Sequence, residues 1–267
     1  LLAAMRAHQQ GLIQAVLIGD EKKIRALMEE HQLSTEGVRF HQADEPEKAV
    51  TLATRLVLEG EVDYLMKGGL ETRTMMKAFI ARENGMRTGR LMSQVAFVEN
   101  PFYHKLLALT DSALNRKPDL AQKKQILENA VEVFHSMGVE CPKVAVLSAV
   151  ENVTDKMPST VSAKAIAERG VEGCIISGPL ALDGAISMES VKHKAIHDPV
   201  AGQADILLVP FIEIGNVLYK ACTYIAGKTM ASTICGASCP VIITSRADTP
   251  DSKYYSILMA VLRCLKA

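Results

Sequence analysis

Short runs of apolar, largely β-branched residues alternate along this chain with longer stretches in which apolar positions recur every three to four residues. The runs fall at 15–18, 62–66, 94–98, 143–147, 173–176, 205–209 and 241–244. Each is too short for a typical helix and reads as continuous rather than alternating, the pattern of strands buried on both faces. Helical periodicity fills the intervals 21–30, 46–59, 71–84, 119–137, 159–169 and 216–230. Strands alternating with helices predict right-handed crossovers and a mostly parallel sheet covered on both sides, an α/β fold. The chain opens at Leu1 inside a helical pattern (Leu2, Met5, Leu12, Ile13, Val16), so a further segment is expected ahead of it, a first strand, a signal peptide or a tag.

The polar turn Asn115-Arg-Lys-Pro-Asp119, which opens the longest helical stretch, is the best internal seam. It predicts one domain from residues 1–118 plus 238–267 and a second from 119–237, with a cleft between them as the expected ligand site. No internal repeat or low-complexity segment interrupts the pattern.

Composition narrows the function classes. At 267 residues with 48% hydrophobic content, the chain can bury a substantial core. Lys and Arg total 30, as do Asp and Glu, so the electrostatic footprint of a nucleic-acid binder is missing. No apolar run approaches the ~20 residues of a membrane span, which argues against a membrane partner. The six cysteines show no Cys-x-x-Cys pair, and several sit in apolar runs as reduced core thiols do; a cytoplasmic compartment is expected. Cys235 and Cys239 with His193 and His197 are the one arrangement resembling a zinc set, but they lack the usual spacings, and no metal is expected.

The candidate chemistry gathers at strand exits: Lys67-Gly68-Gly69, Ser148, Ser177-Gly178-Pro179, Glu213-Ile-Gly215-Asn216 and Ser245-Arg246. The last is the most informative. Pro240 begins a strand, Val241, Ile242 and Ile243 fill it, and Thr249-Pro250 reads as the N-cap and first position of a helix. Free N–H groups and the helix dipole would then face the same corner as Arg246, beyond the strand C-termini where α/β sheets bind ligands. Gly85-Met-Arg87-Thr-Gly-Arg90 offers two further guanidiniums able to grip phosphate. Gly68-Gly69 fits neither a Walker loop nor a dinucleotide fingerprint, Asp183, Asp198 and Asp205 sit where turn bonds are their usual work, and no Gly-x-Ser-x-Gly elbow accompanies the histidines.

Taken together, Met66-Lys-Gly-Gly-Leu70, Met86-Arg-Thr-Gly-Arg-Leu91, Thr110-Asp-Ser-Ala-Leu-Asn115, Lys156-Met-Pro-Ser-Thr160, Gly178-Pro-Leu-Ala-Leu-Asp183, the run from Pro199 to Pro210 and Thr244-Ser-Arg-Ala-Asp248 resemble the phosphate acyltransferase family, with its butyryl and acetyl branches. The resemblance covers nearly the whole chain in order. It implies a two-domain, three-layer αβα fold like that of isocitrate and isopropylmalate dehydrogenases, with a cleft for coenzyme A and phosphate, and a homodimer or larger assembly. It also implies the reaction: acyl-CoA plus phosphate giving acyl phosphate plus free CoA, reversibly, with coenzyme A as substrate, no tightly bound cofactor and no metal.

In that frame Arg246 holds phosphate against the thioester, and Ser245 donates a hydrogen bond to sulfur or carbonyl oxygen without becoming a covalent nucleophile. Arg87 and Arg90 assist phosphate or CoA, Lys156 and Asn216 line the cleft, and Lys67 is a further substrate-binding candidate. The acetyl branch has an acidic residue seven positions beyond the serine; Ser252 stands there in this chain, leaving Asp248 and Asp251 as nearby substitutes, the first placed with the catalytic group and the second with the substrate binders. Phe211 and Ile214 replace a carboxylate and a small residue of the family pattern and add apolar bulk near the expected acyl pocket. Ser-Arg-Ala-Asp and Gly-Pro-Leu-Ala-Leu-Asp favour the butyryl branch. The alternatives are the acetyl branch, a non-catalytic CoA or acyl-phosphate binder that would not need Ser245, and an NAD-dependent dehydrogenase, for which the nucleotide fingerprint is missing.

Overall fold

The computed structural model of the chain describes residues 1–81, 85–245 and 248–265. Two compact units emerge, Leu1–Arg90 with Ala231–Ala267, and Leu91–Met230.

In the first unit, α1 (Leu2–Gln9) leads to β1 (Val16–Gly19), which pairs in parallel with β2 (Arg39–Gln42) across α2 (Glu21–Glu30). The Asp20 carboxylate caps α2 by accepting from Lys23 N–H at 3.1 Å. After α3 (Pro46–Leu58) come the two residues of β3 (Leu65–Met66) and then α4 (Thr72–Ile80). The returning segment adds β9 (Met230–Cys235), β10 (Val241–Ile242) and α10 (Pro250–Cys264); β10 runs parallel to β3 and antiparallel to β9. Ala3 and Ala7 of α1 meet Ile242, Tyr254, Ile257 and Ala260 in a buried cluster, so small residues on α1 let the two helices approach closely.

The second unit holds β4 (Ser93–Val98) and β5 (Leu107–Thr110) as an antiparallel pair. The sheet continues in parallel from β5 to β8 (Ile206–Leu208), β6 (Lys143–Leu147) and β7 (Ile175–Leu180). The Asp119 and Gln122 capping box opens α5 (Leu120–Ser136), and Pro158 opens α6 (Pro158–Arg169). Two short helices, α7 (Leu182–Ile186) and α8 (Met188–His193), precede β8, and α9 (Ile212–Lys220) ends in one π-helical turn, Ala221–Ile225. The core of this unit gathers Ala96, Leu109, Ala145, Leu147, Val200 and Leu207.

The α/β expectation holds, with a mixed, mostly parallel pairing. Several elements differ from the expectation for identifiable reasons. The helix expected over 216–230 runs as α9 to Lys220 and as a π-helical turn to Ile225, and Met230–Cys235 is a fully buried strand; its apolar residues fit a helical period as well as an extended run. The strand at 62–66 shortens to its last two residues, and that at 241–244 to its first two. The helix expected over 71–84 ends at Ile80, and 82–84 lie outside the described residues. The turn at 115–119 lies inside the second unit, while the chain passes between units at 90–91 and 230–231. The β4–β5 ladder, continued by β8, ties residues 93–110 to that second sheet. Among the described residues no helix is long and apolar enough to cross a membrane. All six cysteines are free thiols.

Candidate functional site

Parallel pairing of β3 and β10 sets Val241 opposite Leu65 and Ile242 opposite Met66, and Lys67 N–H continues the ladder onto Ile242 O at 2.9 Å. Both strands therefore end at one edge, and their outgoing segments emerge side by side. Lys67, Leu70, Glu71, Thr72, Thr244 and Ser245 line a cavity of about 350 Å³ there. Lys67 is only 7% exposed, and its ammonium donates to the carbonyls of Gly68 (3.3 Å) and Leu70 (3.1 Å), which shapes the turn into α4 around a fixed positive charge. A Cβ at Gly68 or Gly69 would meet nothing within 4 Å, so that side of the turn is open.

Ser245 is exposed at the rim, whereas Asp248 is 6% exposed. The Asp248 carboxylate accepts from Ser245 N–H at 2.7 Å, Asp248 N–H returns a bond to Ser245 O at 3.2 Å, and the Lys253 ammonium donates to Asp248 O at 2.8 Å. Thr249 caps α10, its hydroxyl oxygen accepting from Ser252 N–H at 3.1 Å, with Pro250 at the first helical position. Arg246, the expected phosphate holder, lies outside the described residues. Asp251 pairs with Arg6 of α1 at 2.7 Å on the exposed surface, and that guanidinium stacks on the Tyr254 ring at 3.9 Å.

Arg87 and Arg90 are exposed, on a segment stitched to 236–238: Arg87 bridges to Ala237, Thr88 Oγ1 donates to Gly236 O at 2.7 Å, and Ser238 N–H donates to Met86 O at 3.1 Å. Buried Met86 anchors that segment.

The second unit carries the remaining expected positions. Asn216 is exposed on α9 and donates from Nδ2 to Ser112 O at 3.4 Å. Just before it, a Cβ on Gly215 would lie 2.7 Å from Asp111 O and 2.9 Å from the Ser112 Cα, so only glycine lets α9 approach that turn. The turn is organised by Asp111, which is 3% exposed. Its Oδ1 accepts from the N–H groups of Ala113 (2.9 Å) and Leu114 (3.1 Å), its Oδ2 from Asn115 N–H (3.2 Å) and Asn115 Nδ2 (2.6 Å). Burial pushes this carboxyl above the usual carboxylate range, and the four donors work in the opposite direction. Lys156 is exposed on a turn whose hub is Thr160 Oγ1, bonded to Thr154 N–H (2.9 Å) and to the carbonyls of Thr154 (3.1 Å) and Met157 (2.8 Å). Ser148 Oγ lies 2.8 Å from Ser159 Oγ.

Of the expected residues, the first unit thus brings Lys67 and Ser245 to one cavity, holds Asp248 directly behind Ser245, and carries Arg87 and Arg90 on its surface; Lys156 and Asn216 belong to the second. Sequence reasoning missed Glu71, Thr72 and Thr244 as cavity wall, and Asp111 as the centre of its turn. The parallel register of β3 with β10 was the missing signal for the first three.

Comparison with known proteins matches residues 35–261 to the Phosphate acetyl/butaryl transferase family. A protein named probable phosphate butyryltransferase from Bacillus subtilis is 45% identical over 253 residues, covering 92% of this chain and 83% of its own length. The phosphate acetyltransferase of Thermotoga maritima is 40% identical over 264 residues, covering 97% of this chain and 90% of its own. Among solved structures, a branched-chain phosphotransacylase from Enterococcus faecalis superposes with a TM-score of 0.84 at 33% identity, covering 94% of this chain and 99% of that one.

Proposed function

The chain belongs to the phosphate acetyl/butyryl transferase family and is a phosphate acyltransferase, and from that premise we propose that it transfers butyryl or a similar short acyl group reversibly between coenzyme A and inorganic phosphate. The second pKa of inorganic phosphate lies about one unit above the ~6 of a phosphate ester, so a substantial share is already dianionic at neutral pH and needs placement more than deprotonation. A positive group must hold it against the thioester carbonyl, and a donor must stabilise the departing thiolate, whose thiol pKa is ~8.5. Lys67, fixed in the cavity wall, and Arg246 are the proposed phosphate holders; the Ser245 hydroxyl is the proposed donor. Arg87, Arg90, Lys156 and Asn216 are proposed contacts to coenzyme A or phosphate on the family resemblance. No step calls for a metal or a bound cofactor.

The observation that carries this reading is the meeting of Lys67 and Ser245 in one cavity at the ends of adjacent parallel strands. It is tested by thiol release from acetyl-, propionyl-, butyryl- and isobutyryl-CoA, with and without phosphate. We expect strict phosphate dependence and the highest kcat/KM with the four-carbon chains. Because one methylene is worth only ~1–3 kcal/mol in a pocket, the preference over acetyl should be roughly 10–200-fold per methylene at most. Best turnover with acetyl-CoA would overturn the chain-length proposal, and release independent of phosphate would overturn the site assignment.

A further inference from the structure

We propose that Asp248 is a positioning residue: its buried carboxylate holds the main chain of Ser245, so that the serine hydroxyl is presented at the cavity, and it does not itself exchange a proton with substrate. The inference rests on the phosphate acyltransferase reading and deepens it. The sequence placed Asp248 among the catalytic groups as the nearest carboxylate to the serine; the geometry gives that carboxylate a different task.

Three bonds carry the argument. The Asp248 carboxylate takes the Ser245 N–H at 2.7 Å, the Asp248 N–H donates to Ser245 O at 3.2 Å, and the Lys253 ammonium donates to Asp248 O at 2.8 Å. The first two bind Ser245 and Asp248 to each other, and the third fastens Asp248 to the first turn of α10, whose N-cap is the adjoining Thr249. Exposure separates the two partners: Ser245 is exposed and lines the cavity, while Asp248 is 6% exposed and is absent from the cavity wall. A general base must come within hydrogen-bond reach of the proton it removes. A group that acts by accepting a main-chain N–H needs an oxygen, not a negative charge, and this distinction can be measured.

The test compares Asp248→Asn, which keeps a side-chain oxygen able to accept from Ser245 N–H, with Asp248→Ala, which removes it. For a positioning residue, Asp248→Asn stays within about tenfold of wild-type kcat, the scale of weakening one hydrogen bond, and keeps the acid limb of the kcat/KM pH profile. Asp248→Ala falls roughly 100-fold in kcat with KM for CoA little changed, the scale of a misdirected donor. An Asp248→Asn enzyme as inactive as Asp248→Ala would make Asp248 a base and overturn the proposal. Where Asp248→Ala does not fold, the kcat of Asp248→Asn still decides, a loss of roughly 100-fold or more overturning the proposal. Amide exchange at Ser245, read by mass spectrometry of the peptide that contains it, gives a readout independent of turnover: slow in wild type and Asp248→Asn, fast in Asp248→Ala. Equal exchange in all three would remove the clamp whatever the activity. Absence of phosphate-dependent thiol release in wild type would instead defeat the functional reading and leave the exchange result standing.

Discussion

Replacing Asp111 with Asn tests how far a single buried carboxylate determines the turn on which α9 rests. In the native turn each carboxylate oxygen accepts two N–H groups, those of Ala113 and Leu114 on Oδ1 and both the main-chain and side-chain N–H of Asn115 on Oδ2. An amide of the same shape keeps one oxygen and turns an NH₂ toward the other pair, leaving two buried donors facing a donor. Each stranded donor costs ~1–3 kcal/mol, so Asp111→Asn should lose roughly 2–6 kcal/mol, less the relief from removing a buried charge. Against a typical total of ~5–15 kcal/mol that is a large fraction. The chain has no tryptophan, so urea unfolding followed by far-UV circular dichroism is the suitable assay, read as a fall in midpoint at constant slope. The pH dependence has a definite sign. Burial raises the folded-state pKa of Asp111, so its ionisation lowers native stability as pH rises from the ordinary aspartate value of ~3.9 through the raised folded value. The Asn variant lacks that limb, and the stability gap should be widest at the acid end of the window and narrow across it. A loss below about 1 kcal/mol at pH 5–7 would refute the view that the four bonds organise the turn.

Three further outcomes are expected. Ser245→Ala should lower kcat by roughly 100-fold with CoA affinity retained, as when one transition-state donor is removed; steady-state kinetics beside CoA binding by calorimetry checks it, and normal turnover would take serine out of the mechanism. Lys67→Met should raise KM for phosphate and cut kcat/KM by roughly 10²–10³-fold, read from phosphate saturation curves, and an unchanged phosphate KM would move the anion site away from this cavity. Lys123, 3% exposed with its ammonium on Ser162 Oγ at 2.7 Å, has its pKa lowered by burial, so its charged form penalises the fold below that lowered value and the penalty fades as pH climbs toward ~10.4. Lys123→Met should therefore raise Tm at pH 7 by an amount that shrinks toward pH 10, and a lower Tm at pH 7 would contradict the sign.

How much the sequence revealed depends on how local each signal is. Lys143–Leu147 was legible to the residue because five apolar-rich positions lie between a Pro and a Ser, and the start of α5 because Asp119 and Gln122 form a capping box within four residues. β2 escaped because Arg39-Phe-His-Gln carries polar groups on a half-exposed two-stranded edge. β5 escaped because no helix separates it from β4, so the alternation rule did not apply. Ser245 and Lys67 stood out as polar residues at strand exits, yet nothing local says that exits almost 180 residues apart are neighbours; only the Ile242–Met66 register does. Asp111 and Asp251 show the same limit from opposite sides. In sequence both are aspartates beside a turn or cap, and only packing makes one the hub of a buried turn and the other a partner of Arg6.

The position seven beyond Ser245 can now be argued physically. Ser252 is 3% exposed, its N–H goes to Thr249 Oγ1 at 3.1 Å, its hydroxyl lies 3.1 Å from the same oxygen, and its carbonyl takes the Ser256 hydroxyl at 2.8 Å. It therefore reinforces the cap of α10, and a buried hydroxyl of ordinary acidity does not serve as a base near neutral pH. Asp251 pairs with Arg6, Asp248 Oδ2 accepts the Ser245 main-chain N–H, and neither residue is among the described residues that line the cavity. That arrangement suits a reaction whose nucleophile arrives already ionised. A phosphate dianion asks for a fixed cation and a donor to the leaving sulfur, the roles proposed for Lys67, Arg246 and Ser245, and the rate should then track the ionisation of inorganic phosphate, about one unit above the ~6 of a phosphate ester, instead of a side-chain carboxyl.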